Sequence, residues 1–407
     1  MSPPEPSAFD LLRSGPFART MLTNFFFFAS LNGFVLLPLY VHSLGGDEAV
    51  VGMVQGMYSA AGIVCQPLVG AFMDRLGQRL LMVAGTAVLA ASCAAFVVTG
   101  SAPLLAVLRA IQGAGFSMFF VSNYIHVVDL VPVERRGWAL GIYGLAGLLS
   151  TSLAPLAGEM LIRRAGFRWF FAWTAILACA ALFLVLRLRD IRPPQTTGGG
   201  LGLDEIRQGL AEVLHLHMAL MFFFGLGTGT IFTFLPIFAE RLGVTGLGLF
   251  YTAYAGAAML VRVFGGRLSD TLGRRAVIVP SMAVQAVAAS ILAVLAIAVG
   301  PRSATPVLPF LFLVGFLAGA AHGFLYPALS ALLMDVTPER RRGSAVGTFS
   351  SVFLIGNALG SIAFGYVASG FGYRIMWSAL AVLLAAGFAV SLRLRIGRAP
   401  SPGAVRG

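Results

Sequence analysis

The stretch Gly70–Arg79 reads GAFMDRLGQR, and 196 residues later the stretch Gly266–Arg275 reads GRLSDTLGRR. A second phrase is repeated in the same way, as DLVPVERRG over Asp129–Gly137 and as DVTPERRRG over Asp335–Gly343. Each copy lies between long apolar stretches. The chain therefore contains two copies of one unit, joined head to tail.

The composition is that of a membrane protein. Of the 407 residues, 58% are hydrophobic and 11% are charged, which leaves too little polar surface for a soluble protein of this size. The net charge of +12 comes from arginine, since no lysine occurs. In a membrane protein such an excess indicates cytoplasmic loops rather than nucleic-acid binding. Cys65, Cys93 and Cys179 lie inside apolar runs, so we expect neither a disulfide framework nor a metal site.

Twelve apolar stretches are long enough to cross a membrane as helices. Crossing about 30 Å of hydrocarbon takes roughly 20 apolar residues, and runs of this length are unlike the alternating strands of a barrel. The predicted spans are Arg19–Tyr40, Ala49–Phe72, Leu80–Thr99, Pro103–Val128, Gly137–Leu161, Trp169–Leu186, Met218–Glu240, Leu247–Leu268, Ala276–Val299, Pro306–Met334, Gly343–Ser369 and Ile375–Leu394. The stretch before the first span lacks the order of a cleaved signal peptide, so we expect that span to be retained.

The predicted domains follow from the repeat. We expect an N-terminal tail over residues 1–18, a six-helix bundle over 19–187, a linker over 188–216, a second bundle over 217–394 and a C-terminal tail over 395–407. Outside the loops, Gly52 matches Gly248, and Gln66 matches Arg262. The linker contains a Pro- and Gly-rich segment, and its residues Leu203–Leu214 are either a short surface helix or a plain connector.

The arginines orient the bundle. Twenty of the 28 lie in the tails, the linker and every second loop. Six lie in the opposite loops, namely Arg163, Arg164, Arg168, Arg241, Arg302 and Arg374. The positive-inside rule then places both termini and the linker in the cytoplasm.

The repeated loop has the composition of a reversible latch. Its glycines permit a tight turn between helices, its aspartate can accept hydrogen bonds at a helix N-terminus, and its arginines can pair with acids or lipid phosphates. Because the pattern occurs twice in a twelve-span protein, it resembles the signature loop of the major facilitator superfamily. In the fourth span, Arg109, Gln112 and Gly113 are similar to that superfamily's Arg-x-x-Gln-Gly motif.

A second resemblance concerns exporters of the same superfamily. The stretch Gly147–Gly158 is similar to their Gly-Pro-x-x-Gly-Gly motif, although Ala154 and Ala157 stand where glycines are usual. The alternative is that these small residues only allow helices to pack closely.

The resemblance implies that the two repeated loops form a cytoplasmic gate. The gate residues expected on this basis are Gly70, Asp74, Arg75, Gly77, Arg79, Asp129, Glu134, Arg135 and Arg136, with Gly266, Asp270, Gly273, Arg275, Asp335, Glu339 and Arg340 in the second half.

The resemblance also implies a central cavity lined by the first and fourth helices of each half. The residues expected at this substrate and coupling cavity are Asn24, Asn32, Arg109, Gln112, Asn123, Thr230, Arg262, His322 and Tyr326. An arginine inside a span is a functional candidate because its charge is costly there, but Arg109 could also be a structural strut. Arg262 lies near enough to the cytoplasmic edge to snorkel. His322 is either a packed neutral side chain or a proton relay.

No carboxylate occurs in the middle of any span, which counts against cationic substrates. We therefore expect a secondary active transporter of the inner membrane that exports a small amphipathic or anionic compound by alternating access in exchange for protons. The alternative is an importer or exchanger of an organic anion held by Arg109. We expect contacts with lipids, a monomer, no cofactor, no metal and no nucleic acid.

Two other classes of protein are weighed against a transporter. An enzyme would cluster His, Asp or Glu within the spans, and a nucleotide-driven pump would carry a phosphate-binding loop. Neither pattern is present in the sequence. A sensor would add a soluble output domain, and we expect none in the short tail after Arg395.

Overall fold

Long helices account for nearly all of the chain in the computed structural model, which describes residues 15–132, 135–188, 216–265, 268–299, 306–336 and 342–394. The helices are α1 Gly15–Ser43, α2 Glu48–Leu76, α3 Gln78–Phe96, α4 Ala102–Asp129, α5 Arg136–Ala165, α6 Phe167–Leu186, α7 Leu216–Arg241, α8 Gly248–Phe264, α9 Arg274–Ala298 and α10 Leu308–Val336. The last helical segment, Arg342–Ser391, is broken at Gly372 into α11 (342–371) and α12 (373–391). No strand occurs in these ranges.

The expected all-α membrane fold is confirmed. Ten helical segments of the described chain are long and apolar enough to cross a membrane, and the last of them comprises two helices. The helix α8 is shorter than its predicted span because it ends at Phe264, and a one-turn helix, Leu268–Thr271, follows it. The Leu203–Leu214 segment lies outside the described residues.

Single glycines make the tightest connections between helices. Gly77 joins α2 to α3 with φ +78°, and its counterpart Gly273 precedes α9 with φ +87°. Gly166 and Gly372 make the corresponding turns between the last two helices of each half, with φ +85° and +78°. These backbone angles favour glycine over residues with a Cβ atom. The glycine at the end of the repeated loop therefore has the turning role that its sequence predicts.

The repeat is also visible in how the second and fourth helices of each half touch. A Cβ atom on Gly113 of α4 would lie 2.1 Å from the carbonyl oxygen of Tyr58 on α2. A Cβ atom on Gly319 of α10 would lie 2.0 Å from the carbonyl oxygen of Tyr254 on α8. In both halves the two backbones approach so closely that only glycine fits.

The two halves meet along two seams. The helix α2 packs against α11, where a Cβ atom on Gly52 would lie 2.3 Å from the Ser361 carbonyl oxygen. The helix α8 packs against α5, where a Cβ atom on Gly248 would lie 2.8 Å from Cα of Leu156. Gly52 and Gly248 are repeat partners, so the same position brings two backbones close together on each side. A central space remains between the two seams.

The two ends of the bundle carry different turns. The terminal face is the end at which α1 begins and α12 ends, and it carries the turns at Gly77 and Gly273. The far face is the opposite end, which carries the turns at Gly45, Gly166, Gly246 and Gly372.

We expect Gly319→Ala to destabilise the protein and Gly256→Ala to leave it at least as stable. The added methyl at position 319 collides with the α8 backbone, and overpacking of this kind costs about 1–3 kcal/mol. Gly256 lies within α8 with nothing within 4 Å of a Cβ atom, so alanine only restricts the unfolded chain. The melting temperatures of the two variants and the wild type in one detergent test this. Equal melting of both variants would contradict the close helix contact.

Candidate functional site

A cavity of about 810 Å³ lies between the two halves. Its wall is formed by α1, α2, α4 and α5 of the first half and by α7, α8, α10 and α11 of the second, with Gly265 and Arg274 at the terminal face. The first and fourth helices of each half contribute, as the resemblance implies, but the second and fifth contribute as well. The cavity is the natural location for a ligand of this fold.

Arg109 of α4 lies at the end of the cavity nearer the far face. Its side chain is 7% exposed, and its Nη1 donates a 2.8 Å hydrogen bond to Oε1 of Gln112. The guanidinium carbon is 4.6 Å from the ring centroid of Tyr58 and 5.7 Å from that of Phe34. Nε has no hydrogen-bond partner, and none of the ion pairs between described residues includes Arg109. The buried charge is therefore held by rings and one amide, which leaves it able to attract an anion.

Arg262 of α8 lies in the cavity wall nearer the terminal face. A Cβ atom on Gly144 of α5 would lie 2.3 Å from its Nη1, so the guanidinium reaches across to the other half at a position where only glycine leaves room. Its Nε also lacks a hydrogen-bond partner. The side chain thus faces protein and cavity, rather than snorkelling to the membrane edge as the sequence allows.

His322 and Tyr326 of α10 lie in the wall of the second half. Nδ1 of His322 and the hydroxyl of Tyr254 share a 2.7 Å hydrogen bond. The imidazole is stacked on Tyr326, with centroids 6.4 Å apart, and meets the edge of Phe224. His322 is therefore packed on several sides and still borders the cavity.

The remaining residues predicted at the cavity divide into two layers. Asn24 and Asn32 line it, and the Asn32 amide donates to the hydroxyls of Ser150 and Thr151 at 2.9 and 3.0 Å. Gln112, Asn123 and Thr230 are fully buried behind the wall and are not among the lining residues. Asn123 donates to Oδ1 of Asn24 at 3.1 Å, and Thr230 donates to the carbonyls of Leu226 and Gly360. These three residues support the wall instead of facing a ligand.

The charge of the cavity wall has one sign. Arg109, Arg262 and Arg274 line it, and no Asp or Glu is found among the described lining residues. Most of the other lining side chains are aromatic, aliphatic, amide or hydroxyl groups. A cavity of this kind attracts anions with an apolar body and repels cations.

One polar contact between the two halves, beside the cavity, was not predicted from the sequence. The Ser59 hydroxyl of α2 donates to Oδ1 of Asn357 of α11 at 2.8 Å, and Asn357 also lines the cavity. The two residues are 298 positions apart, and neither belongs to a repeated phrase. An asparagine within an apolar span is the only signal that could have drawn attention to it.

Carboxylates close the far face. Glu159 of α5 accepts hydrogen bonds from the backbone N–H groups of Gly246 and Gly248 at 2.9 and 2.7 Å, at the start of α8 in the other half. Glu48 of α2 forms an ion pair with Arg241 of α7, also in the other half. Both carboxylates are mostly buried, with 13% and 7% of their side chains exposed. The far face is thus fastened by four elements from two halves, while the cavity extends to the terminal face.

Asp47 adds a further bond between the halves at the far face. It caps α2 by accepting from the Val50 N–H, and it accepts a 2.6 Å hydrogen bond from the Ser369 hydroxyl of α11. The Ser369 bond, followed by the Val50 bond, holds the pKa of this carboxyl below its usual range. A carboxylate with a lowered pKa contributes stability above its usual pKa, and this contribution is lost only as the pH falls through the lowered pKa. The bond therefore persists at neutral pH.

Some of the predicted gate residues have partners within their own half. Nη2 of Arg79 donates to the carbonyl of Leu186 at 2.7 Å, and Nη2 of Arg275 donates to the carbonyl of Leu392 at 3.1 Å. These repeat partners thus cap the last helix of each bundle. Asp129 accepts from Nε2 of Gln78 at 2.7 Å.

Other gate residues are described in part or not at all. Arg135 closes a turn by donating its N–H to the Pro132 carbonyl at 2.9 Å, and α5 begins at Arg136. The following lie outside the described residues or have undescribed side chains: Asp74, Arg75, Glu134, Gly266, Asp270, Asp335, Glu339 and Arg340. A Cβ atom on Gly70 would meet nothing within 4 Å.

Comparison with known proteins gives one consistent result. The model of the Major Facilitator Superfamily matches residues 20–250 and 217–407 of this chain. A staphylopine export protein of Staphylococcus aureus is 23% identical over 373 residues, which cover 89% of this chain and 91% of the relative. The multidrug resistance protein MdtG of Salmonella choleraesuis is 26% identical over 356 residues, which cover 84% and 85%.

Solved structures share the architecture. The crystal structure of the nucleoside transporter NupG matches 94% of this chain and all of its own with a TM-score of 0.72 at 17% identity. That of the human organic anion transporter MFSD10 matches 93% of this chain with a TM-score of 0.67 at 18% identity. At these identities the likeness concerns the fold alone.

We expect Glu159→Gln to open the far face. Glutamine keeps the shape but loses the charge that strengthens both bonds to α8, which should cost about 1–2 kcal/mol and shift the balance of open and closed forms roughly five- to thirtyfold. Spin labels at positions 165 and 245 should report longer distances. The matched control is Glu240→Gln, because its pair with His42 is 3.6 Å long and 57% of the glutamate side chain is exposed. Equal effects of the two variants would mean that Glu159 does not hold the face closed.

Proposed function

Because the chain belongs to the Major Facilitator Superfamily, we propose that it exports a small amphipathic organic anion across the inner membrane by alternating access, in exchange for protons. Its relatives are transporters, so the chain is a transporter and not an enzyme. The observation that carries the choice of substrate is the cavity wall, which combines three arginines with no carboxylate in its described part. Such a wall lowers the free energy of a bound anion and raises that of a bound cation.

The arrangement of the two halves supports alternating access. The halves touch along the α2–α11 and α5–α8 seams, and the far face is fastened by Glu159 and Glu48. Release of these contacts and closure of the terminal face would expose the same cavity to the other side. The repeated loops at Gly77 and Gly273 are the gate that we propose for the terminal face, with Asp74 and Asp270 as its acceptors.

Two observations support export. The printed names of two relatives describe an export protein and a multidrug resistance protein. The arginine-rich loops lie at the terminal face, which the positive-inside rule places in the cytoplasm, together with both termini. On that orientation the cavity loads from the cytoplasm.

The proposed proton exchange has one candidate relay at the cavity. His322 borders the cavity and is bonded to Tyr254, and an imidazole can take up and release a proton. Protonation of His322 would add a positive charge near Arg262. Exchange requires the proton and the anion to occupy the cavity in turn, since a proton that stayed on His322 beside a bound anion would cross with it.

The alternative function is import or exchange of an organic anion held by Arg109. The same cavity supports this reading, since it binds anions irrespective of direction. The direction of transport and its coupling to protons distinguish the two functions.

We expect inverted membrane vesicles containing the protein to accumulate an anionic amphiphile when their interior is acid. The anion should enter as protons leave, so its addition should raise the interior pH, seen with a pH-sensitive dye. An uncoupler should abolish both signals. Vesicles without the protein are the control. Accumulation that ignores the uncoupler would contradict proton exchange and favour the alternative.

We expect Arg109→Ala to weaken binding of an anionic amphiphile about ten- to a hundredfold, because one charge-assisted hydrogen bond contributes about 1.5–3 kcal/mol. Arg109→Lys should recover little, since a lysine lacks the planar fork that binds carboxylates and stacks on Tyr58. Titration of the purified variants gives the dissociation constants. Arg168→Ala, at an exposed far-face position, is the matched control. Wild-type affinity in the Arg109→Ala variant would make Arg109 a structural strut.

A further inference from the structure

Building on the proposed function, we propose that the substrate carries two anionic groups separated by about 10 Å of apolar structure, one bound by Arg109 and the other by Arg262. The argument rests on where the two guanidinium groups lie, on what compensates their charge and on what lies between them.

Neither arginine is neutralised by an acidic side chain that the structure describes. Each has an Nε with no hydrogen-bond partner, and neither takes part in an ion pair between described residues. Arg274, the third arginine of the wall, already has an interaction partner. A substrate with one anionic group would neutralise one of the two cations and leave the other without an anionic partner in a poorly hydrated space, which is costly.

The helix α5 gives the distance between the two cations. Arg262 lies against Gly144, and Asn32 is bonded to Thr151, seven residues further along the same helix. At 1.5 Å per residue, these two levels are about 10 Å apart. Arg109 lies over Phe34, which is beyond Asn32 along α1. The two guanidinium groups are therefore separated by at least about 10 Å along the helices.

The wall between these levels is apolar and aromatic. It includes Phe28 and Phe116, which meet edge to face with centroids 6.2 Å apart, and Phe232 and Phe353 of the other half. An apolar chain or ring system between two acidic groups fits this wall. A short diacid would leave one of its charges beside the rings, where it is poorly solvated.

The two cations belong to different halves. Arg109 is on α4 of the first half and Arg262 is on α8 of the second. A substrate that binds both links the halves across the cavity, so it favours the conformations in which the two arginines stay close enough to be bridged. A ligand shifts a conformational equilibrium by the difference between its affinities for the two conformations. A molecule with one acidic group lacks the link.

The test compares straight-chain α,ω-dicarboxylates with monocarboxylates of the same length. An extended carbon chain advances about 1.25 Å per bond, so a 10 Å separation corresponds to roughly eight bonds, or nine to ten carbons. Binding is measured by calorimetry on the full chain in lipid nanodiscs. We expect the dicarboxylate to bind at least about tenfold more tightly than its monocarboxylate near this length. No such advantage is expected at four carbons.

Two variants assign the second anionic group to Arg262. Arg262→Gln should weaken binding of the long dicarboxylate much more than binding of the monocarboxylate, and so remove the advantage of the long dicarboxylate. Gly144→Ala keeps the charge but places a methyl group 2.3 Å from the present position of Nη1, so the arginine must move. It should reduce the advantage or change the best chain length. Arg168→Gln, at the exposed far face, should alter neither series.

The outcomes separate this inference from the proposed function. If monocarboxylates bind in an Arg109-dependent way and dicarboxylates show no advantage at any length, the second anionic group is excluded and anion transport stands. If Arg262→Gln weakens both series equally, the second group does not bind at Arg262. If neither series binds to the wild type, both the inference and the proposed function fail.

Discussion

An arginine buried in an apolar interior without a carboxylate is the constraint on which the site depends. Transfer of a charge out of water is costly, and a protein usually repays it with an opposite charge. Among the described residues, the contacts that hold the Arg109 charge are the Gln112 amide oxygen and the faces of Tyr58 and Phe34. Its environment holds the guanidinium in place without cancelling its field. On the proposed function, an anionic substrate would supply the missing counter-charge, which is consistent with the absence of acids from the described cavity wall.

The glycines of the repeat determine which parts of the molecule move together. Within each half, Gly113 and Gly319 lock the fourth helix onto the carbonyl of a tyrosine of the second. Between the halves, Gly52 and Gly248 bring backbones together at the two seams. Close contacts that fix the helices within each bundle favour movement of each half as a rigid body.

The sequence predicted the parts of this structure that depend on local pattern. The spans, the turn glycines Gly77 and Gly273, and the position of Arg109 at the cavity wall all follow from hydropathy, backbone freedom and the cost of buried charge. Two kinds of feature were not predicted. Gln112, Asn123 and Thr230 lie behind the wall because the direction of a side chain depends on the rotation of its helix, which continuous apolar runs do not reveal. The far-face contacts of Glu48 and Glu159 join residues 193 and about 90 positions apart, and they exist only when the two halves close.

On the proposed mechanism, the strength of the far-face contacts determines how strong the contacts at the terminal face must be when the far face is open. Two charge-assisted contacts contribute about 3–6 kcal/mol when buried, and less here because about half of the Arg241 side chain is exposed. A transporter must visit both states, so the state with an open far face needs contacts of similar strength at the terminal face. In the present conformation Arg79 and Arg275 are occupied by helix carbonyls of their own halves. Those bonds lie within each bundle. On the proposed mechanism, the remaining charges of the repeated loops would link the two bundles at the terminal face and balance the far-face contacts of Glu48 and Glu159.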